Sequence, residues 1–571
     1  MGEAAPPGMR KGKGRGRRKE KGSAFTCRGR EHQQPSHSEF ASSRAAAGRR
    51  YGLRRHQPCL PHFSPSSISL ALNGRRRRAE LVQEGSHMAT AHVLVFPAPA
   101  QGHLNCFLHF ATALLRAGLH VTFLHTHHNL RRLGAAAAAA AAISPRLRFL
   151  SVPDGLPDDD PRRVDGLPEL MEGLRTTGSA AYRALLASLV VRAAAYGRAS
   201  SPTAYCRSPS TSPRSSACRR SHSGRLIELG ELPFPGRGGD DGLDERVRGV
   251  PGMESFLRRR DLPIQCRHLA ATTTHGDPLL TSVVAATAHS RNARALLNTA
   301  ISLEHPALTH LARHMRDVFA IGPLHAMSPA PAAATSLWRH DDGCMAWLDS
   351  QPNQSVVYVS LGSLTVISHE QFTELLSGLL AAGYPFLWVL RPDCEDDPLD
   401  QLNKPLNTDM AGNNHDDALL RQALLDVAGA GACVVPWAPQ RDVLRHRAVG
   451  CFLTHSGWNS TAEGVAEGVP MVCWPFFADQ QINSRLVGAV WGNRVDMKDA
   501  CERGVVERSV KEAMESGEIR RSARRLAEQV KRDTGDGGSS ALEFERLVGF
   551  IRELSKVDDE PLVEKCSLLL V

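Results

Sequence analysis

At 571 residues the chain exceeds what one hydrophobic core usually organises, which implies two domains of roughly 200 residues plus extra sequence. With 42% hydrophobic and 22% charged residues it is neither collagen-like nor disordered throughout. The net charge of +10 arises in the first 87 residues, which hold 19 Lys and Arg against 6 Glu; the body is left slightly acidic, which excludes a basic nucleic-acid footprint outside that tail.

Residues 1–87 are rich in Arg, Gly, Ser and Pro and lack apolar periodicity, so they read as a disordered basic tail. An organelle transit peptide and upstream sequence outside the functional chain are the alternatives, with Met88 a natural start. The thirteen cysteines include no CxxC pair and no Cys/His cluster at zinc spacing, which argues against a disulfide framework or a structural metal and for a reducing, cytoplasmic setting. No run approaches the ~20 apolar residues of a membrane span, and no apolar signal core follows the basic N-terminus.

Ordered character begins with the strand-like run His92 to Phe96, a Pro/Ala/Gly loop, helical spacing over Leu104 to Ala117 and a second strand-like run, His120 to Leu124. Such alternation predicts a parallel sheet covered by helices, with ligands at the carboxyl ends of the strands, where the loop Pro97 to His103 lies. The alanine run Ala135 to Ala142 is given no functional role. An interruption follows at 194–224, with nine Ser, five Arg, Pro202, Pro209 and Pro213 where strands and helices should run, and it reads as loop or disorder costing the sheet one or two central strands.

The Pro/Ala-rich stretch at 328–337 reads as a linker, separating a first domain at 88–327 from a second at 338–540, with a C-terminal helix and tail at 541–571. The second domain repeats the alternation: Val356 to Ser360 as a buried strand leading into Gly362 and Ser363, His369 to Ala382 as a helix, and short strands at Phe386 to Leu390, Cys433 to Val435, Cys451 to Leu453 and Met471 to Trp474. Trp388 reads as core, and Trp474, Phe476 and Phe477 as core or cleft wall.

Between residues 437 and 480 stand Trp437, Ala438, Gln440, His455, Gly457, Trp458, Asn459, Ser460, Glu463, Asp479 and Gln480. A nucleotide sugar presents an aromatic base, a ribose diol, a diphosphate and a ring of hydroxyls. An indole can stack on the base, backbone near Ala438 and the Gln440 amide can meet base and ribose, and the Glu463 carboxylate can accept from the ribose hydroxyls. His455, Asn459 and Ser460 lie where a strand turns through Gly457 into a helix, whose N-terminus offers N–H groups and partial positive charge to a diphosphate; Ser363 closes a comparable turn. Trp458 has two open readings, donor contact or packing between helix and sheet.

This box resembles the signature of plant family 1 UDP-glycosyltransferases, with likeness extending over about residues 90 to 190 and 225 to 555. The resemblance implies a GT-B fold, two facing Rossmann-like α/β domains with a cleft between them, and transfer of a sugar from UDP to a small molecule by one inverting displacement, with no cofactor and no metal. It further implies that Asp479 and Gln480 hold the sugar hydroxyls, with Gln480 leaning toward UDP-glucose, and that His103, in Gln101-Gly102-His103, is the catalytic base. Its loop position suits a base, since an unperturbed imidazole, with a pKa near ~6.5, can take the proton of an acceptor hydroxyl. His109, His120, His125, His127 and His128 read as packing or surface residues. The stretch Pro97 to Leu115 resembles the subgroup acting on iridoids, cyanohydrins and flavonoids, so the expected partners are a UDP-sugar and a small lipophilic alcohol, bound by a monomer.

One departure stands against that pattern. Family members back the catalytic His with an Asp roughly a hundred residues later, yet no Asp or Glu occurs between Glu172 and Glu228 here. A pseudoenzyme that binds UDP-sugar without efficient transfer is therefore the alternative reading, and salt-sensitive nucleic-acid binding by the tail is a third.

Overall fold

The computed structural model describes residues 91–142, 144–160, 162, 166–195, 203–207, 242–250, 252–263, 267, 294–328, 336–338, 340–341, 343–390, 431–497, 501–554 and 567–570. The expectations for the basic tail and for most of 194–224 lie outside these residues. All described residues belong to one unit, His87–Val571.

The first half forms β1 (His92–Phe96), β2 (His120–Thr126), β3 (Leu147–Val152), β4 (Thr203–Arg207), β5 (Arg294–Leu297) and β6 (Asp317–Ala320). The second forms β7 (Val356–Ser360), β8 (Phe386–Val389), β9 (Ala432–Val435), β10 (Val449–Thr454), β11 (Met471–Cys473) and β12 (Arg494–Asp496), and β13 (Ser567–Leu570) ends the chain. Two parallel sheets result, ordered β3-β2-β1-β4-β13-β5-β6 and β12-β11-β10-β7-β8-β9. Helices cover both faces of such sheets, so their strands read as unbroken apolar runs; Val356–Ser360 and Val449–Thr454 are buried at every position.

Boundaries expected from periodicity hold to within a few residues, with one consequential shift. The helix after β1 spans Gln101–Arg116, so His103 lies in its first turn rather than in a loop. Pro97 and Pro99 favour extended backbone ahead of it, and the Gln101 amide, donating to Asn105 Oδ1 at 2.6 Å, supports that first turn.

The expected loss of central strands at 194–224 is corrected. Thr203–Arg207 pairs in parallel with β1 along its whole length, from His92 opposite Thr203 to Phe96 opposite Arg207. Threonine and tyrosine suit a strand, and a strand paired on both sides has its backbone groups satisfied. The C-terminal tail is corrected likewise, because Ser567–Leu570 enters the first sheet between β4 and β5. The helix Ser539–Leu554 also returns to that sheet. Leu547, Val548 and Ile551 pack with Phe110, Val121, Leu296 and Phe319, and Ser540 Oγ donates to the Gly322 carbonyl at 2.6 Å.

Candidate active site

In both sheets the strand order reverses beside the strand that comes first in its half, between β1 and β4 and between β7 and β10. Side elements diverge there and leave a crevice at the carboxyl ends of the strands, where open α/β sheets take ligands. Gly362 and Ser363 leave β7 at that point, His455 to Ser460 leave β10, and Pro97 to His103 leave β1.

The imidazole of His455 lies between Gly362 and Gly457, and a Cβ on either glycine would overlap it. Both positions are therefore held to glycine by the ring that fills the space. Ser456 and Ala478 adopt left-handed backbone, with φ of 61° and 57°, and each immediately precedes a stretch of the box. Non-glycine residues enter that region at a cost and gather at functional sites. Asn483 ties the two turns together, its Nδ2 donating to the Ser456 carbonyl at 3.0 Å and to the Asp479 carboxylate.

The helix Trp458–Ala466 starts at Gly457 with no side chain capping it, and a helix N-terminus of this kind carries a partial positive charge that suits an anion. One turn on, Gln440 Nε2 donates to Glu463 Oε2 at 2.6 Å and to Ser460 Oγ at 3.0 Å, while the Tyr358 hydroxyl donates to Gln440 Oε1 at 3.3 Å. Glu463 is buried, and burial raises its pKa from 4.5 to about 7, opposed by the Gln440 hydrogen bond. Trp437 is half-buried and stacks on Trp338 with ring centroids 4.7 Å apart and planes 25° from parallel. The Arg132 guanidinium lies 4.7 Å over Trp338. Ala438 beside it is buried.

Gln480, Trp458 and Asn459 likewise have side chains engaged within the protein. Gln480 is buried, and its Oε1 accepts from the Phe476 and Phe477 N–H groups at 2.8 and 3.1 Å, which fixes the turn ahead of it. Trp458 packs in the core, with Nε1 donating to the Asn298 carbonyl at 2.8 Å, so packing is the reading the geometry supports for its indole. Asn459 donates through Nδ2 to the Gly102 carbonyl at 2.8 Å and accepts at Oδ1 from Asn298 Nδ2 at 3.1 Å. The bond to Gly102 joins the second half of the chain to the turn carrying half-buried His103, and the bond from Asn298 joins it to the end of β5.

Trp388 and Trp474 are core, as expected. His109 and His125 are buried packing groups, lowered by desolvation to about 3 and about 4. Asn298, Tyr358 and Trp338 escaped the sequence reading. Asn298 follows β5 at its carboxyl end, the one signal that pointed toward it. A cleft lined by Arg445, His446, Arg447, Arg520 and Arg524 opens beside Val449 and Pro470, at the amino ends of β10 and β11, and has no part in this constellation.

The family model described as UDP-glucoronosyl and UDP-glucosyl transferase matches residues 282–533. Over 487 residues the chain is 39% identical to myricetin 3-O-rhamnoside 1,2-glucosyltransferase of Crocosmia x crocosmiiflora, covering 82% of this chain and 97% of that protein. Over 498 residues it is 35% identical to 7-deoxyloganetic acid glucosyltransferase of Catharanthus roseus, covering 81% of this chain and 98% of that protein. Among solved structures it matches Os79 from O. sativa in complex with UDP with a TM-score of 0.62 and 27% identity, over 81% of this chain and 100% of that one.

Proposed function

The chain belongs to the plant family 1 UDP-glycosyltransferases of GT-B fold, and from that premise we propose that it moves glucose from UDP-glucose to a hydroxyl of a small lipophilic plant metabolite, with inversion at the anomeric carbon. The observation that carries the reading is the hydrogen-bonded set Gln440, Ser460 and Glu463 beside an uncapped helix N-terminus at the strand-order reversal of the second sheet. Uracil stacks on Trp437, and the ribose hydroxyls donate to Glu463. The diphosphate accepts from the first N–H groups of the helix Trp458–Ala466, with Ser363 and His455 nearby. Asp479 takes the sugar hydroxyls, and Gln480 supports the turn it shares with Asp479. The helix terminus supplies the positive charge, so the scheme needs no metal.

His103 takes the proton of the acceptor hydroxyl as that oxygen bonds to the anomeric carbon. The bond from that carbon to the UDP oxygen breaks, and its electron pair leaves with UDP. An acid behind the imidazole would hold its tautomer and stabilise the imidazolium. The strand beside β1 ends in Arg207, followed by Ser208, and residues 173–227 contain no carboxylate. Transfer is slow on this reading. The solved relative carries UDP, and two relatives are named glucosyltransferases, which supports glucose as the sugar.

The test is mass spectrometry of purified chain with UDP-glucose and a panel of iridoid, cyanohydrin and flavonoid aglycones. Glucosylated product, formed slowly, is the expected result. UDP binding with neither transfer to any aglycone nor hydrolysis of UDP-glucose would overturn it.

A further inference from the structure

Asn298 stands just past β5 in the first half of the chain, 3% exposed, and three hydrogen bonds tie it to two separate segments. Its Oδ1 accepts from the Leu324 N–H at 2.7 Å, its carbonyl accepts from Trp458 Nε1 at 2.8 Å, and its Nδ2 donates to Asn459 Oδ1 at 3.1 Å. The site is built tightly, because a Cβ on Gly322 would overlap both the Asn298 backbone and its amide oxygen.

An amide presents one accepting and one donating end, so whichever group faces Asn298 decides what Asn459 offers on its other side. With Asn298 Nδ2 directed at Asn459 Oδ1, the Asn459 NH2 group faces the Gly102 carbonyl and donates to it at 2.8 Å. With an acceptor in place of that donor, Asn459 would turn its NH2 toward position 298 and present oxygen to the Gly102 carbonyl oxygen, replacing attraction by repulsion. Gly102 precedes His103 directly, and Trp458 and Asn459 are the first residues of the helix assigned to the diphosphate.

We propose that Asn298 is a positioning residue for glycosyl transfer, acting through Asn459 to hold the turn of His103 against the donor helix. The proposal rests on the reading of His103 as the base. It explains why the Asn459 amide is engaged within the protein, and it ties residues 161 and 357 positions apart in sequence into one hydrogen-bonded chain. In the free protein the relay holds base and donor helix at one spacing, which is orientation gained before the acceptor arrives.

Asn298→Asp tests it, since the variant keeps size and keeps an acceptor for Leu324 N–H but loses the donor to Asn459 when ionised. The expected result is a fall in kcat of about 10- to 100-fold with UDP affinity by calorimetry nearly unchanged. Activity relative to wild type should recover as pH falls and the carboxyl regains a proton to donate. Unchanged kcat, or a kcat loss matched by equal loss of UDP affinity, would overturn the relay. Should Asn298→Asp fail to fold, Asn298→Ser keeps a hydroxyl for Leu324 N–H and is read the same way without the pH arm. Absence of transfer in wild type counts against the functional reading alone. The relay is then read by hydrogen exchange at the amides of residues 101–104, which should quicken in the variant; unaltered exchange overturns it.

Discussion

The Gln440 amide donates to the Glu463 carboxylate at 2.6 Å inside the second domain, and it opposes the burial that raises Glu463 from 4.5 to about 7. Between those two pH values the empty folded protein holds a proton that the unfolded chain has released. The group therefore costs no stability below about 4.5, costs increasingly as pH climbs to about 7, and costs a constant amount above. Glu463→Gln removes this term, so its melting advantage over wild type should be absent near the lower value and reach on the order of 3 kcal/mol above the upper one. UDP binding should show the opposite trend, because ribose hydroxyls donate best to the ionised carboxylate. Wild-type affinity relative to the variant should rise through about 7. Melting curves and calorimetry across that range decide, and a pH-independent difference in both would remove Glu463 from the ribose site.

Trp437 has one ring face against Trp338, and the uracil stack requires the other. Trp437→Ala should weaken UDP binding by roughly 1 to 3 kcal/mol, the scale of base stacking on an aromatic side chain. Unchanged affinity in calorimetry would place the base elsewhere.

His103 in the first turn of its helix should be needed for chemistry rather than for donor affinity. His103→Ala is expected to lower kcat by about 10²- to 10⁴-fold, the usual contribution of a general base, with UDP affinity held. A rate equal to that of wild type would show that another group accepts the proton.

The insertion of Ser567–Leu570 between β4 and β5 makes the chain end part of a core sheet. Truncation after Leu554 should open two strand edges, lower the melting temperature by about 5 °C or more and promote aggregation. Equal melting curves for the full and shortened chains would mean that β13 adds nothing to the first domain.

The sheet class was legible because a parallel strand buried on both faces must be apolar throughout, and runs such as Val356 to Ser360 announce themselves. The residues proposed for the donor site stood out in the sequence because stacking, diol recognition and diphosphate binding would each demand a particular residue type at a strand-to-helix turn. Periodicity also bounded most helices. It placed His103 in a loop because Gln101 and Gly102 carry no apolar signal, although backbone geometry already makes them helical.

What the sequence by itself determined, then, is the set of chemical groups and the local segments that bear them, since propensity and patterning act over a few residues. Only the tertiary structure decided how those groups are used. Trp458 and Gln480 serve packing and turn geometry, Asn459 reaches across 357 positions to Gly102, and Thr203–Arg207 with Ser567–Leu570 complete a sheet that composition alone left broken. The physical reason is that an amide, an indole or a short strand is satisfied by whichever partner folding brings within hydrogen-bonding distance, and those partners lie far away along the chain.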